Sequence, residues 1–204
     1  MQALQPDQRR WRLSLRKPES RIISHFHKHI GPTKRTWTLG ADQEPLSVPL
    51  AEFDGPFPGA LTIATMGLSG HVLEQPGMAP IRQELMWMSW KRFRSTAVLS
   101  VLEDMAETAI ERRVGYKRGE WRDFGAPVVP ESQMTALYLA VPVYLPDSFH
   151  ILDGVYAEPL AAMWVLPVFA SESRYCKEHG WDAFEDRLSE ADPDLLDLER
   201  PPIL

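Results

Sequence analysis

Cysteine and long hydrophobic runs are both scarce in this chain. Its single cysteine, Cys176, cannot form an intramolecular disulfide, so a small secreted fold held by disulfides is excluded and a reducing compartment is favoured. The longest apolar stretches, residues 134–145 and 160–170, are too short to span a bilayer, and each contains a proline. The first 17 residues lack the apolar segment of a secretory signal. We therefore predict a cytoplasmic globular protein with no membrane partner.

Basic residues are fewer than acidic ones, with 22 Lys and Arg against 28 Asp and Glu and a net charge of −6. Proteins whose whole surface holds nucleic acid are usually basic, so that class is disfavoured. The charges are also unevenly distributed. Residues 1–40 carry nine basic and two acidic side chains, whereas the remaining residues carry 13 and 26. An acidic body attracts basic partners and repels nucleic acid, although the same charge also favours solubility.

Composition and apolar periodicity predict one folded domain of mixed helices and strands. Hydrophobic residues make up 44% of the chain and charged residues 25%, which are ordinary values for a globular domain. Both faces of residues 82–90 are largely apolar, a pattern typical of a central strand. Helices are predicted over 19–30, 96–113, 171–179 with Ser171 as N-cap, and 181–188, and strands over 36–39, 46–53, 60–66, 82–90, 134–143, 151–156 and 160–169. Because helices and strands do not alternate strictly, the predicted fold class is α+β.

The domain is expected to be flanked by two charged segments. Residues 1–18 form a basic arm, residues 19–190 the single domain, and residues 191–204 an acidic tail that we expect to be mobile.

Ser69 is the first candidate for catalysis, because it lies in the run Gly-Leu-Ser-Gly-His over residues 67–71. A hydrolase nucleophile elbow needs glycine two residues before and two residues after the serine, and here His71 occupies the second place. The default interpretation is a turn hydroxyl that bonds nearby backbone. A small serine hydrolase that uses Ser69, His71 and an unidentified acid stays open as an alternative.

Histidines and the lone thiol give weaker signals of a metal or catalytic site. His25 and His29 have the i, i+4 spacing of zinc ligands, but no glutamate lies between them and Lys28 would repel a cation. Cys176 is predicted in the middle of a helix among acidic neighbours, which is typical of a structural thiol. No phosphate-binding glycine loop is present. We therefore expect no enzyme, cofactor or metal, and a binding protein is favoured.

Several motifs together resemble the suppressor-of-fused (SUFU) domain family. The strand over residues 60–66 leads into a Thr-x-Gly-hydrophobic-Ser turn, a Glu-Leu strand and an amphipathic helix follow, and a hydrophobic-Pro segment precedes a glutamate and a glycine. The resemblance extends from about residue 25 to residue 188. Its motif positions are Thr65, Gly67, Ser69, Glu84, Leu85, Pro167, Glu172 and Gly180.

The resemblance implies an α+β fold with a mixed, mostly antiparallel sheet flanked by helices. It also implies structural roles for the motif residues. Gly67 would permit a turn conformation that is closed to other residues, and Ser69 and Glu84 would satisfy backbone donors. Pro167 would lie at a sheet edge or strand end, and Glu172 would complement a helix N-terminus.

The resemblance further implies that the chain binds protein and is not an enzyme. Animal members sequester a transcription factor in Hedgehog signalling, and small bacterial single-domain members act as immunity proteins that neutralise toxins. The shortness of this chain favours the bacterial role, with a basic toxin as partner. The predicted partner surface is the acidic C-terminal stretch with Asp186, Glu190, Asp192, Asp194 and Asp197. A third reading, a nucleic-acid-binding regulator that uses the basic arm, also stays open.

Overall fold

The computed structural model describes residues 17–40, 43–130 and 132–204, and this part of the chain is organised around one β-sheet. Its strands are β1 (Arg35–Leu39), β2 (Pro45–Asp54), β3 (Ala60–Thr65), β4 (Arg82–Trp90), β5 (Trp121–Asp123), β6 (Ala136–Ala140), β7 (Ile151–Leu152) and β8 (Leu160–Val168). Across the sheet they follow the order β1-β2-β3-β4-β8-β6-β5, and β7 pairs with β8. Strands β4 and β8 are parallel, and the other described pairings are antiparallel.

Helices cover both faces of this sheet, so the predicted α+β class and the mostly antiparallel, helix-flanked sheet are confirmed. They are α1 (Lys17–Ile30), α2 (Ala97–Arg112), α3 (Asp147–His150), α4 (Ala170–His179) and α5 (Trp181–Ala191), with 3-10 turns at Leu68–Gly70 and Lys91–Phe93. Helix α2 packs on one face through residues such as Leu102 and Ala106. Helices α1, α4 and α5 contribute to the core on the other face, for example through Phe26 and Phe184. No helix in the described ranges is both long and apolar enough to cross a membrane.

Strand β4 is a central strand, as its two apolar faces predicted. It lies between β3 and β8. Met86 and Met88 pack into the core on one face, and Leu85 and Trp87 pack under α2 on the other. A strand that is buried on both faces has to be apolar almost throughout, and this requirement makes the carboxylate of Glu84 conspicuous.

Three local expectations need correction. Helix α4 begins at Ala170 after Phe169, so Ser171 lies inside the helix and is not its N-cap. The predicted strand over residues 151–156 ends at Leu152, because the chain turns at Gly154, which has a left-handed φ of 72°. Strand β5 was not predicted, because three residues at a sheet edge carry too little apolar alternation to give a signal.

The C-terminal segment packs against the domain, and the expectation that it is mobile is wrong. Leu196 and Leu198 are buried, and Arg200 is only 4% exposed. The backbone N–H of Trp90 donates to the carbonyl of Leu196 at 3.1 Å. At the other end of the chain, residues 1–16 of the predicted basic arm lie outside the described residues, and Lys17 begins α1.

Replacement of Leu196 by alanine should destabilise the protein if this packing holds. Loss of a buried leucine side chain leaves a cavity and costs about 2–5 kcal/mol, which urea denaturation measures as a lower unfolding midpoint. The matched control is Glu199→Ala, which removes an exposed side chain from the same segment and should leave stability almost unchanged. Equal effects of the two substitutions would contradict the packed arrangement.

Candidate functional site

The motif residues around the β3–β4 connection converge on the carboxylate of Glu84, which is fully buried. Thr65, the last residue of β3, donates from Oγ1 to Oε2 of Glu84 at 2.5 Å. Ser69 donates from its hydroxyl to Oε1 at 2.6 Å and from its backbone N–H at 3.2 Å. The backbone N–H of Gly67 donates to Oε2 at 3.3 Å. Four donors therefore surround one carboxylate. Glu84 accepts two backbone N–H groups, as expected, whereas the hydroxyl of Ser69 donates to Glu84 and does not have the expected role of accepting a backbone N–H.

Burial and hydrogen bonding act on the Glu84 carboxyl in opposite directions. Burial disfavours the charged form and raises the pKa of Glu84 to about 7, and the hydrogen bonds from Ser69, Thr65 and Gly67 limit the rise. Oγ1 of Thr65 also accepts the backbone N–H of Leu85 at 2.9 Å, so its own proton is directed to Glu84. No cation is hydrogen-bonded or ion-paired to this carboxylate in the described part of the chain, and dipoles alone hold it.

The requirement for glycine at position 67 comes from space and not from backbone conformation. Gly67 has a φ of 179°, an extended value that any residue adopts. The expectation that this position needs a backbone conformation closed to other residues is therefore wrong. A Cβ at this position would lie 3.1 Å from Cδ of Pro49 and 3.5 Å from Cβ of Val48. The turn after β3 therefore packs closely on β2, and Pro49 would have to move by a few tenths of an ångström to admit a side chain at position 67.

The same contacts give no support to the hydrolase alternative. Ser69 is 1% exposed, and its hydroxyl proton is committed to Glu84. His71 is exposed, and no hydrogen bond joins it to Ser69 within the described residues. The 3-10 turn Leu68–Gly70 is also unlike the strand-to-helix elbow that presents a nucleophile.

A second buried carboxylate, that of Glu172, fixes the C-terminal segment. Its two oxygens pair with the two terminal nitrogens of Arg200 at 2.7 Å each, and both side chains are almost completely buried. They also accept the backbone N–H groups of Phe169 at 3.0 Å and of Ile203 at 3.1 Å. Glu172 thus does more than complement a helix N-terminus. Arg200 was missed by sequence reasoning, and its only signal was a lone arginine beside buried leucines in an acidic stretch.

The remaining motif residues lie in the core or at the ends of strands and helices. Leu85 is buried under α2. Pro167 is the last residue but one of β8 and lies beyond the part of β8 that pairs with β4, as expected for a strand end. Gly180 separates α4 from α5 with a φ of 87°, a left-handed conformation that favours glycine.

The five acidic residues predicted to bind a partner separate into two groups. Asp194 accepts the indole N–H of Trp90 at 2.7 Å, and Asp197 pairs with Arg92 at 3.0 Å, so both hold the C-terminal segment in place. The other group consists of Asp186, Glu190 and Asp192, which are exposed on α5 and at its end and form no ion pair with the rest of the C-terminal segment among the described residues; Glu190 pairs with the neighbouring Arg187.

The histidines of α1 and the thiol of Cys176 lie against other residues of the domain. Nε2 of His25 lies 2.9 Å from the carbonyl of Phe149, and its ring lies 4.8 Å from that of His29. The pKa of His29 is lowered by burial and by the neighbouring His25 and Lys28. No group of three potential metal ligands occurs in the described ranges. Cys176 is buried. Burial is the larger cause of the raised pKa of its thiol, and the nearby negative charge of Glu185 is the smaller one.

A comparison with protein families accounts for the converging motif positions. Residues 42–201 match the model described as Suppressor of fused protein (SUFU). The chain belongs to the SUFU family. No curated protein sequence matches it significantly.

Solved SUFU structures share the fold at low sequence identity. A SUFU homologue from Neisseria gonorrhoeae FA 1090 superposes with a TM-score of 0.71 at 20% identity, over 91% of this chain and 96% of that one. A chain of the Sufu–Fu complex gives 0.66 at 14% identity, over 85% and 84% of the two chains. Drosophila Suppressor of Fused gives 0.64 at 13% identity, over 85% of this chain but 47% of the fly protein.

The raised pKa of Glu84 predicts a specific pH dependence of stability. The folded protein holds this proton more tightly than the unfolded chain, so the contribution of Glu84 is largest at low pH and is lost as pH rises. The difference in the free energy of unfolding between the wild-type protein and Glu84→Gln should fall by about 3 kcal/mol between about pH 4.5 and pH 7. Above pH 7 this difference should level off. Urea denaturation across this range measures it, and a constant difference between the two proteins would contradict the raised pKa.

Removal of one partner of the buried Glu172–Arg200 ion pair should strongly lower the free energy of unfolding. Arg200→Met leaves the Glu172 charge buried without its partner and should cost about 3–5 kcal/mol, whereas addition of Glu172→Gln should recover part of that loss. A double-mutant cycle by urea denaturation measures the coupling. Arg187→Met is the control, because it breaks an exposed pair and should have almost no effect. A loss in Arg200→Met no larger than that of the control would contradict the role of the pair.

Proposed function

We propose that this SUFU-family chain is a non-catalytic protein-binding domain, and that it acts in the cytoplasm as a bacterial immunity protein that neutralises a basic toxin. The observation that carries the proposal is family membership together with the Sufu–Fu complex, in which a protein of this fold is found with a protein partner. The bacterial assignment is supported by the similarity to the Neisseria homologue, of which this chain covers 96%, compared with about half of the Drosophila protein.

Charge supports a basic partner. The chain carries a net charge of −6, and α5 presents Asp186 and Glu190 on an exposed surface. Toxins that cleave nucleic acid have basic clefts, and an acidic surface competes with nucleic acid for such a cleft and accelerates association. The buried, hydrogen-bonded state of Ser69 agrees with a binding role and offers no nucleophile at this position.

The test is relief of toxicity by the full chain. The tagged protein is first used as bait in its native cells, at low and at moderate salt. A basic protein that is retained on the bait is then expressed in a test host, once alone and once together with this chain. We expect growth arrest that co-expression relieves. Absence of arrest, or arrest that this chain does not relieve, would overturn the immunity role.

Charge-reversal variants locate the surface within the same experiment. Asp186→Lys combined with Glu190→Lys should slow association with the captured protein and flatten its salt dependence. The matched control is Glu107→Lys with Glu111→Lys, which has the same i, i+4 spacing and the same charge change on α2, on the opposite side of the sheet. Equal kinetics for the two double variants would reject the α5 surface.

A further inference from the structure

A cavity of about 290 Å³ opens beside the exposed acidic group on α5. Its floor consists of side chains of β6 and β8, and its walls come from α5 and the C-terminal segment. The lining is mainly apolar and aromatic, and includes Tyr144, Trp164, Leu188 and Leu195. Val143 stands at its lip with 64% of its surface exposed. Such a lining suits a large apolar side chain of a ligand.

Trp164 supplies a hydrogen-bond donor that has no acceptor. Its side chain is completely buried and lines the cavity, and its indole Nε1 has no partner among the described residues. The other polar groups of the aromatic lining are occupied. The hydroxyl of Tyr138 donates to Glu185 at 2.8 Å, and that of Tyr144 accepts the backbone N–H of Leu195 at 3.1 Å. This nitrogen is inaccessible to solvent, as is the Nε1 of Trp87, which also has no partner among the described residues, so the Trp164 indole serves as a probe of the cavity and not as a donor open to a ligand.

Aromatic side chains continue from the cavity to the surface. Phe57 is 43% exposed, and its ring lies 5.3 Å from that of Tyr144, which in turn lies 5.6 Å from that of Trp164. Exposed Phe57 therefore packs against Tyr144 of the cavity wall, and exposed Val143 lies at the mouth. Large apolar side chains at a surface are a mark of interaction sites when they adjoin a pocket.

The charges at the cavity are negative in balance. Of the two acidic residues that line it, Glu185 is paired with Arg118, so Asp192 is the net negative charge of the lining. The exposed Asp186 lies on the adjacent helix α5. Arg118 is the cation in the lining. Its guanidinium is already engaged, since it pairs with Glu185 and covers the ring of Trp181 at 4.7 Å. A segment with Lys or Arg on either side of an apolar residue would match this field.

We propose that the cavity binds an aromatic or large aliphatic side chain on a basic segment of another protein. This inference rests on the proposed protein-binding function and specifies the chemistry of its partner. The site combines a buried anchor pocket with an acidic rim, an arrangement typical of interface hot spots.

The probe is a blocked pentapeptide with phenylalanine between two pairs of lysines, titrated into isotopically labelled full-length protein. The readout is the indole N–H resonance of Trp164, which is assigned by its disappearance in Trp164→Phe. We expect this resonance to shift with peptide concentration, with binding about tenfold weaker for an alanine-centred peptide and weaker still at high salt. A peptide with glutamates in place of the lysines should not bind. A Trp164 resonance that stays fixed, or equal binding of the three peptides, would overturn the proposal.

A variant at the mouth separates this site from others. Ser189 is exposed and lines the cavity, so Ser189→Trp should cover the entrance without disturbing the core and weaken peptide binding about tenfold. Ser189→Ala is the matched control and should bind as wild type. Unchanged binding in Ser189→Trp would place the peptide elsewhere and overturn the proposal.

The outcome for the cavity is distinguishable from the outcome for the immunity role. Relief of growth arrest without peptide binding would leave the proposed function in place and reject the cavity. Peptide binding at Trp164 without relief of arrest would support the site and reject the toxin role.

Discussion

The structure depends on the parallel pairing of β4 with β8 at the centre of the sheet. This pairing joins an antiparallel meander, β1 to β4, to the strands β6 and β5 that follow on the other side. Both strands are buried on both faces, so their stability comes from apolar contacts in two separate cores. A charged group buried beside these strands has to be compensated by hydrogen bonds or by an ion pair, and this constraint explains the surroundings of the buried carboxylates of Glu84 and Glu172.

Those two carboxylates are compensated in different ways. Glu84, near the start of β4, is held by hydroxyl and backbone dipoles from the turn after β3, so burial dominates and its pKa rises. Glu172, just after β8, faces the guanidinium of Arg200, and two charges cancel within the interior. The first carboxylate fixes a local turn. The second fixes a segment that comes 28 residues later in the chain.

Features that depend on residues close together in the sequence could be predicted, and features that depend on residues far apart in the sequence could not. The central position of β4 and the apolar face of α2 are local patterns, and both were confirmed. The motif positions Thr65, Ser69 and Glu84 could be named from a family resemblance, but their convergence on one carboxylate depends on strand pairing across the β3–β4 connection.

Besides the local corrections at Ser171, Gly154 and β5, the misses concern long-range contacts. Acidity and prolines made the C-terminal segment look solvated, because its buried leucines and Arg200 acquire meaning only from distant partners such as Glu172. Asp194 and Asp197 were likewise taken for free surface charges, although each binds a residue from the β4 end of the sheet. The steric reason for Gly67 required the position of Pro49 in space.

The docked C-terminal segment also connects stability with binding. Leu195 and Pro193 form part of the cavity wall, and the hydroxyl of Tyr144 is held by the backbone of Leu195. The cavity therefore has this shape only while the segment is anchored, by Asp194 on Trp90 at one end and by Arg200 on Glu172 at the other. A wall that is fixed by a buried ion pair does not have to be ordered when a ligand arrives, so less of the binding free energy is spent on ordering. Asp194 and Asp197 thus anchor the segment that forms the cavity wall, whereas Asp186 and Glu190 on α5 carry exposed negative charge next to the cavity.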